Sequence, residues 1–350
     1  MLIDHQALLG TVERVLVAGG SLPQEANIVA NHLVLANLSG HDSHGVGMIP
    51  NYVRNLKAGY LHPNKHVDCI REDGSILVFD GKAGYGQVIA REAMAKAIDL
   101  TKKTGLAIAA LRNAHHIGRV GTYGEQCADA GLVSLHFVNV TGHMPLVAPH
   151  RGSDGRFGTN PICIALPDTK EEPRIILDFA TSKVALGKVR VANNSGKIMP
   201  EGMLLDSKGN PTTDPAVMWE EESGALLPIA EHKGYGLSLM CELLSGVIGG
   251  GGTLQPENVR DTRIINNMLS ILIDPGRLTD TDFIASEMKA MCDYARQSPP
   301  REGFGNVLVP GDPEREQRAL RTANGIDIDD ETWRQIAEAA SEFGVDVAAD

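Results

Sequence analysis

Two short stretches carry most of the side chains able to move a proton. Leu111 to Glu125 reads LRNAHHIGRVGTYGE, with His115 and His116 adjacent, and Gly40 to Arg54 reads GHDSHGVGMIPNYVR, with His41 and His44 flanking Asp42 and Ser43. Free imidazole titrates near ~6.5, so such residues suit general acid/base chemistry. The same residues also serve as ordinary turns: Asp42 and Ser43 are helix-capping types, and one packed beside one solvated histidine is common. Three more polar clusters follow: Gly158-Thr159-Asn160-Pro161, Asp178-Phe179-Ala180-Thr181-Ser182 and His232-Lys233-Gly234-Tyr235-Gly236. Glycine, threonine, serine, asparagine and backbone amides suit phosphate and ribose groups, and Lys233 can pair with a phosphate. A strand-end aspartate such as Asp178 can orient an imidazole and stabilise its charged form. Taken singly each cluster is more often a satisfied turn. Their gathering at strand ends points to a ligand site.

Apolar runs place these clusters. Leu106 to Ala110 predicts a buried strand with His115 and His116 at its end, where α/β chains favour chemistry. Gly118, Gly121 and Gly124 then recur at a spacing of three, one small face of a helix over which something flat could lie. Further strands are predicted over 75–80, 132–140, 162–166, 175–179 and 268–273. Helices are predicted over 88–101, 237–246, 287–297, 315–322 and 330–343. Near the start, Asp4 caps a helix with a Leu8, Val12 and Val15 stripe, ended by Gly19-Gly20. Ser21 and Gln24 have the form of a capping box ahead of a second helix ending at Ser39-Gly40. Residues 193–228 are rich in turn formers and read as irregular, and Gly249 to Gly252 as a flexible loop.

The chain is long enough, at 350 residues, for two structural units. Its formal net charge of −12 and lack of a long basic run argue against nucleic-acid or anionic-membrane partners. Aromatics are only 4%, too few for base-stacking platforms. Cys69, Cys127, Cys163, Cys241 and Cys292 are scattered among apolar neighbours, as in a reduced, cytoplasmic protein. No apolar run is long enough to span a bilayer. GxGxxG is missing, because the pairs starting at Gly45, Gly84 and Gly234 are followed by Pro50, Ile89 and Leu239 where the last glycine belongs. A P-loop, HExxH, GxSxG and a paired-cysteine zinc pattern are also missing. His41, His44, His115 and His116 lack the spacing of a metal site, so no metal is expected, although a histidine-ligated metal hydrolase or lyase stays open as a rival.

Taken in order, HDSHGVGMIPNYV (41–53), GYGQ (84–87), NAHHIGRVG (113–121), RFGTNP (156–161), LDFATS (177–182), GKV (187–189), GNPTTDP (209–215), HKGYGL (232–237) and VLVPGDPE (307–314) resemble one family. It is the malate/L-lactate dehydrogenase family unrelated to the Rossmann-type enzymes, which also holds ureidoglycolate, sulfolactate and Δ1-piperideine-2-carboxylate oxidoreductases. The hydroxycarboxylate dehydrogenase B type is the most similar subgroup. The resemblance implies an α/β fold: a non-Rossmann nucleotide-binding domain with a mostly antiparallel sheet, plus a helical domain from the N- and C-terminal segments. The corresponding division is 1–70 with 314–350 for the helical, dimerising part and 71–313 for the NAD(P)-binding and catalytic part. A homodimer with its site near an interface is implied too.

By motif, the resemblance makes His116 and His44 acid/base candidates, supported by Asp178 and with Ser43 in the same relay. It places NAD or NADP against His44, Gly118, Arg119, Val120, Leu177, Asp178, Phe179, Ala180, Lys233, Gly311, Asp312, Pro313 and Glu314, with Thr159 and Asn160 lining the cleft. Many relatives carry arginine four residues after the SHG histidine, where it would clamp a substrate carboxylate. This chain has Met48 there. Arg54, Arg119 and His41 are the candidates to supply the charge instead, and Met48 alternatively marks a pocket for a bulkier 2-oxo acid. The expected reaction is hydride transfer between nicotinamide and a 2-hydroxy or 2-oxo acid, with an imine or ureidoglycolate oxidoreductase as the rival within the family.

Overall fold

Asp4 begins the first helix as its sequence predicts: its carboxylate accepts from the amides of Gln6 at 2.8 Å and Ala7 at 3.1 Å. That helix, α1 (His5–Ala18), follows a short strand, β1 (Leu2–Ile3), and packs on α2 (Pro23–Leu38). The expected capping box does not form. The helix starts at Pro23 with Leu22 at its cap, and the buried Ser21 hydroxyl has no hydrogen-bond partner. Glu25 turns instead to the amide of Asn64. The proline, with φ already set near the helical value, decides the start and puts the Ser21–Gln24 spacing out of register. Pro50 likewise lies in the first turn of a helix, α3 (Ile49–Lys57). The computed structural model describes residues 1–220 and 223–347; Glu221 and Glu222 of the expected irregular stretch, and the last three residues of the terminal segment, lie outside the described residues.

Next come β2 (Asp68–Asp73), β3 (Ile76–Asp80), α4 (Gly86–Thr104), β4 (Leu106–His115), α5 (Gly121–Asp129), β5 (Val133–Thr141), β6 (Ile162–Leu166) and β7 (Ile175–Phe179). After α6 (Leu186–Asn194), the stretch expected to be irregular forms a small sheet of β8 (Leu204–Leu205), β9 (Pro211–Thr212) and β10 (Ala225–Leu226). Then follow α7 (His232–Cys241), which runs on into a π-helical segment Glu242–Ile248, and β11 (Ile265–Ile273). The chain finishes with α8 (Thr281–Arg296), α9 (Asp312–Asn324), β12 (Ile326–Asp327) and α10 (Asp330–Ser341). Among the described residues no helix is long and apolar enough to cross a membrane.

The main sheet has seven strands in the order β2-β3-β4-β11-β5-β6-β7, and only the β3–β4 pair is parallel. The mostly antiparallel sheet is therefore present. β11 reaches its central place from far along the chain, pairing Ile265 with His115 on one side and Thr141 on the other. Burying its Met268 and Leu272 completely contributes about 1.5–3 kcal/mol each.

Among the described residues, three larger apolar cores and one small cluster of Ala148, Leu205 and Ala225 result. The first joins both ends of the chain, with Leu8, Val12, Leu33, Tyr52, Ile326 and Ile336, and takes in Tyr85 and Val88 from beyond the expected boundary at residue 70. The second lies against the sheet around Phe79, Ile89, Met94, Leu111 and Met268. The third, around Val147, Val189, Leu204, Val217 and Leu226, was not anticipated. Its strands are two residues long, too short for periodicity to mark them.

Candidate active site

β4 carries His115 at its last position and delivers His116 one residue beyond it. Asn266 on β11 holds this turn by accepting from the amide of Ile117 at 2.9 Å. Gly86 lets α4 start against it, because an added Cβ would collide with the His115 carbonyl oxygen. The other histidine turn is tied to α2 and α9. Asn37 accepts from the amide of Val46 at 2.8 Å and donates to Asp42 at 2.6 Å, and Arg321 reaches the same Asp42 at 2.7 Å. His41 is engaged by Glu314 at 3.0 Å.

These constraints bring His44 and His116 together. His44 Nδ1 lies 3.2 Å from His116 Nε2, with the rings stacked at 5.3 Å between centroids. His116 Nδ1 lies 2.7 Å from the Tyr52 hydroxyl, whose oxygen accepts from Gln87 Nε2 at 2.6 Å. With Gln87 donating, Tyr52 can still donate its own proton to His116 Nδ1 or accept one from it, so the ring proton stands on Nε2, facing His44, in the first case and on Nδ1 in the second. Burial pushes the Tyr52 phenol up, so it remains a donor. Burial likewise lowers His44 to about 4, with His41 and Arg119 nearby acting in the same direction, and holds His116 well below its ordinary value. Both rings rest neutral at pH 7.

Asp178 does not support either ring, contrary to the sequence expectation. Its buried carboxylate accepts from the amide of Gly121 at 2.7 Å and faces Arg119 Nε at 3.5 Å. Burial raises its pKa against the pull of Arg119. Arg119, wholly buried, is committed to Asp178 and, at 2.9 Å, to Glu125. The glycine face is also taken by the protein itself: an added Cβ on Gly121 would lie 2.7 Å from Asp178 Oδ2, and one on Gly124 2.8 Å from Cys163 Sγ. α5 uses its glycines to lie against the sheet. Tyr52 and Gln87 sit in the quoted motifs NYV and GYGQ, but no local pattern joins residues so far apart in sequence. Buried His32, which accepts from the amide of Arg119 at 3.0 Å, was missed for the same reason.

Two chambers meet at this pair, of about 970 Å³ and about 960 Å³, each at the upper end of the usual ligand-site range. Ser43, His44, Val120 and Thr159 border both, whereas His116 borders only the second. The first also has Arg119, Asp178, Phe179, Ala180, Pro313 and Glu314 in its wall; the second has Gly118, Met48 and Arg54. Other expected contacts lie elsewhere. Lys233 is exposed in the first turn of α7, and Leu177 is exposed and lines neither chamber. Asn160 is buried against Ser238 and Glu242, Gly311 lines a separate small cavity, and Asp312 pairs with Arg296 and Arg315. Among the described residues no three His, Cys, Asp or Glu side chains gather as a metal-binding group.

A sequence model of the malate/L-lactate dehydrogenase family matches residues 3–337. Hydroxycarboxylate dehydrogenase B of Escherichia coli (strain K12) is 45% identical over 344 residues, covering 98% of this chain and 94% of that protein. The solved sulfolactate dehydrogenase of Methanocaldococcus jannaschii superposes with a TM-score of 0.84 at 33% identity, covering 99% of this chain and 98% of that one. The Δ1-piperideine-2-carboxylate reductase of Pseudomonas syringae pvar. tomato gives 0.82 at 29% identity, covering 97% and 99%.

Proposed function

The chain belongs to the malate/L-lactate dehydrogenase family, and from that premise we propose that it is an NAD(P)-dependent 2-hydroxycarboxylate dehydrogenase. The observation that carries the reading is the Gln87–Tyr52–His116–His44 chain where two chambers meet. The first chamber suits a dinucleotide. Its wall offers Lys183 and Lys188 for phosphate charge, and Asp178, Phe179, Ala180, Pro313 and Glu314 as further contacts, with His44 at the inner end. A nicotinamide cofactor held there would supply or accept the hydride. The 2-oxo acid takes the second chamber, where Met48, Met144, Leu146 and Trp219 make a wall suited to an apolar side chain.

His116 is the acid/base. Its Nδ1 is held by Tyr52, so ring orientation is set before substrate arrives. Its Nε2 makes the longest bond of the chain, 3.2 Å against 2.6 Å and 2.7 Å, and is the one a substrate oxygen most readily replaces. In oxidation the neutral ring takes the hydroxyl proton at Nε2, from the tautomer whose own proton sits on Nδ1 and is donated to the Tyr52 oxygen. In reduction the imidazolium form donates to the carbonyl oxygen as charge builds there, and an arriving carboxylate raises the depressed histidine pKa toward that form. Such a positioned acid contributes about 10²–10⁴-fold. Residues 1–70 with 314–350 serve as the helical, homodimerising body and lend His44 and Tyr52 to the site, while 71–313 carries the rest of it, His116 included.

The test is a panel of 2-oxo acids with NADH and NADPH, followed by absorbance of the cofactor and repeated with His116→Ala. Turnover by the wild type and a loss of at least about 10²-fold in the variant are expected. Turnover of a cyclic imino acid or of ureidoglycolate in preference to every 2-oxo acid would move the assignment to that branch of the family. Folded protein that neither binds nor oxidises either cofactor would overturn it, and metal analysis would come next.

A further inference from the structure

A substrate carboxylate needs a cation, and the expected ones are occupied or peripheral. Arg119 is ion-paired with Asp178 and Glu125 and does not border the second chamber, and His41 faces Glu314. Arg54 is exposed and hydrogen-bonded to Asn51, and Lys57 is paired with Glu342. Arg190 is different. It borders both chambers, is half-buried, and among the described residues makes no hydrogen bond or ion pair; its Nε is wholly buried without a partner.

Local packing puts it there. Gly187, in the first turn of α6, lets the helix lie on Ser43, since an added Cβ would come 2.7 Å from the Ser43 Cβ. Arg190 follows three residues later on the same helical face. Its Nη2 reaches the backbone beside Met48: a Cβ placed on Gly47 would lie 3.1 Å away. Burial draws the guanidinium pKa down, with Asp329 opposing, but an arginine stays charged in a protein. A partly desolvated charge without a counter-ion is unfavourable and is relieved by an anion. A carboxylate matches its planar fork with two parallel hydrogen bonds.

We propose that Arg190 anchors the carboxylate of the 2-oxo acid from α6, in place of a cation at Met48. The inference rests on the dehydrogenase reading. Because Arg190 also borders the cofactor-side chamber, a cofactor phosphate is the competing anion, and the experiment has to separate the two.

Full-length Arg190→Gln and Arg190→Lys are compared with wild type using its best 2-oxo acid, the methyl ester of that acid, and NADH or NADPH binding by fluorescence. Expected are a fall in kcat/KM for the acid on the order of 10²-fold in Arg190→Gln, partial recovery in Arg190→Lys, and little change for the ester or in cofactor affinity. An unchanged KM for the acid, or a loss of cofactor affinity as large as the loss for the acid, overturns the proposal. Failure of the wild type itself on every 2-oxo acid would instead be a failure of the dehydrogenase reading. Oxamate binding, followed by melting temperature with cofactor present, still decides in that case: stabilisation of wild type but not of Arg190→Gln supports the anchor, and no difference refutes it.

Discussion

Acidification from pH 7 to pH 5 should destabilise this protein far more than its surface charge would suggest. Burial lowers His32, His115 and His136 to about 3 and His44 to about 4. In the unfolded chain each returns to about 6.5. Between these values the unfolded state binds the extra protons, so stability is present above pH 6.5 and is lost as pH falls. Integrated from pH 7 to 5, each such histidine removes about 2 kcal/mol, so the four together remove at most about 8 kcal/mol. His116 acts in the same direction. Glu25, Asp178 and Glu242, whose carboxyl pKa values burial raises, bind protons in the folded state and offset part of the loss. A net loss of at least about 3 kcal/mol is expected, a large part of an ordinary folding free energy. Urea unfolding at pH 7, 6 and 5, at fixed ionic strength and protein concentration, measures it. His32→Gln keeps an acceptor for the Arg119 amide but cannot titrate, and should flatten the slope by about 1 kcal/mol per pH unit. A stability that is level or rising toward pH 5 would refute the neutral burial of these rings.

Tyr52→Phe removes the hydroxyl that fixes His116 and leaves Gln87 and His116 Nδ1 without partners. Stability should fall by about 2–5 kcal/mol and kcat by about 10²-fold, with cofactor affinity retained; equal loss of cofactor binding would place Tyr52 elsewhere in function. In the oxidation direction, kcat/KM should be level from pH 6 to 9 and fall only on further acidification, since the free-enzyme histidines are already neutral. A profile that rises until pH 8 would contradict that.

Which residues carry proton chemistry, and roughly which elements present them, was legible in the chain. Apolar runs marked β4, β5, β6, β7 and the later part of β11, and Asp4 marked the start of α1, because strand burial and capping are local and leave a local pattern. The histidine motifs stood at element ends for the same reason. Pro23 and Pro50 both sit in the first turn of a helix, where a residue without an amide proton is tolerated. What lies between distant segments left no such trace. The Gln87–Tyr52–His116 chain needs α3, α4 and the end of β4 to converge, and the central position of β11 arises from pairing across 150 residues or so. Only the tertiary structure turned Asp178 away from the histidines and toward Arg119, filled the glycine face of α5 with the sheet, and left Arg190 facing both chambers. Each depends on which charges find partners after packing, and sequence spacing along one element holds no record of the partners supplied by another.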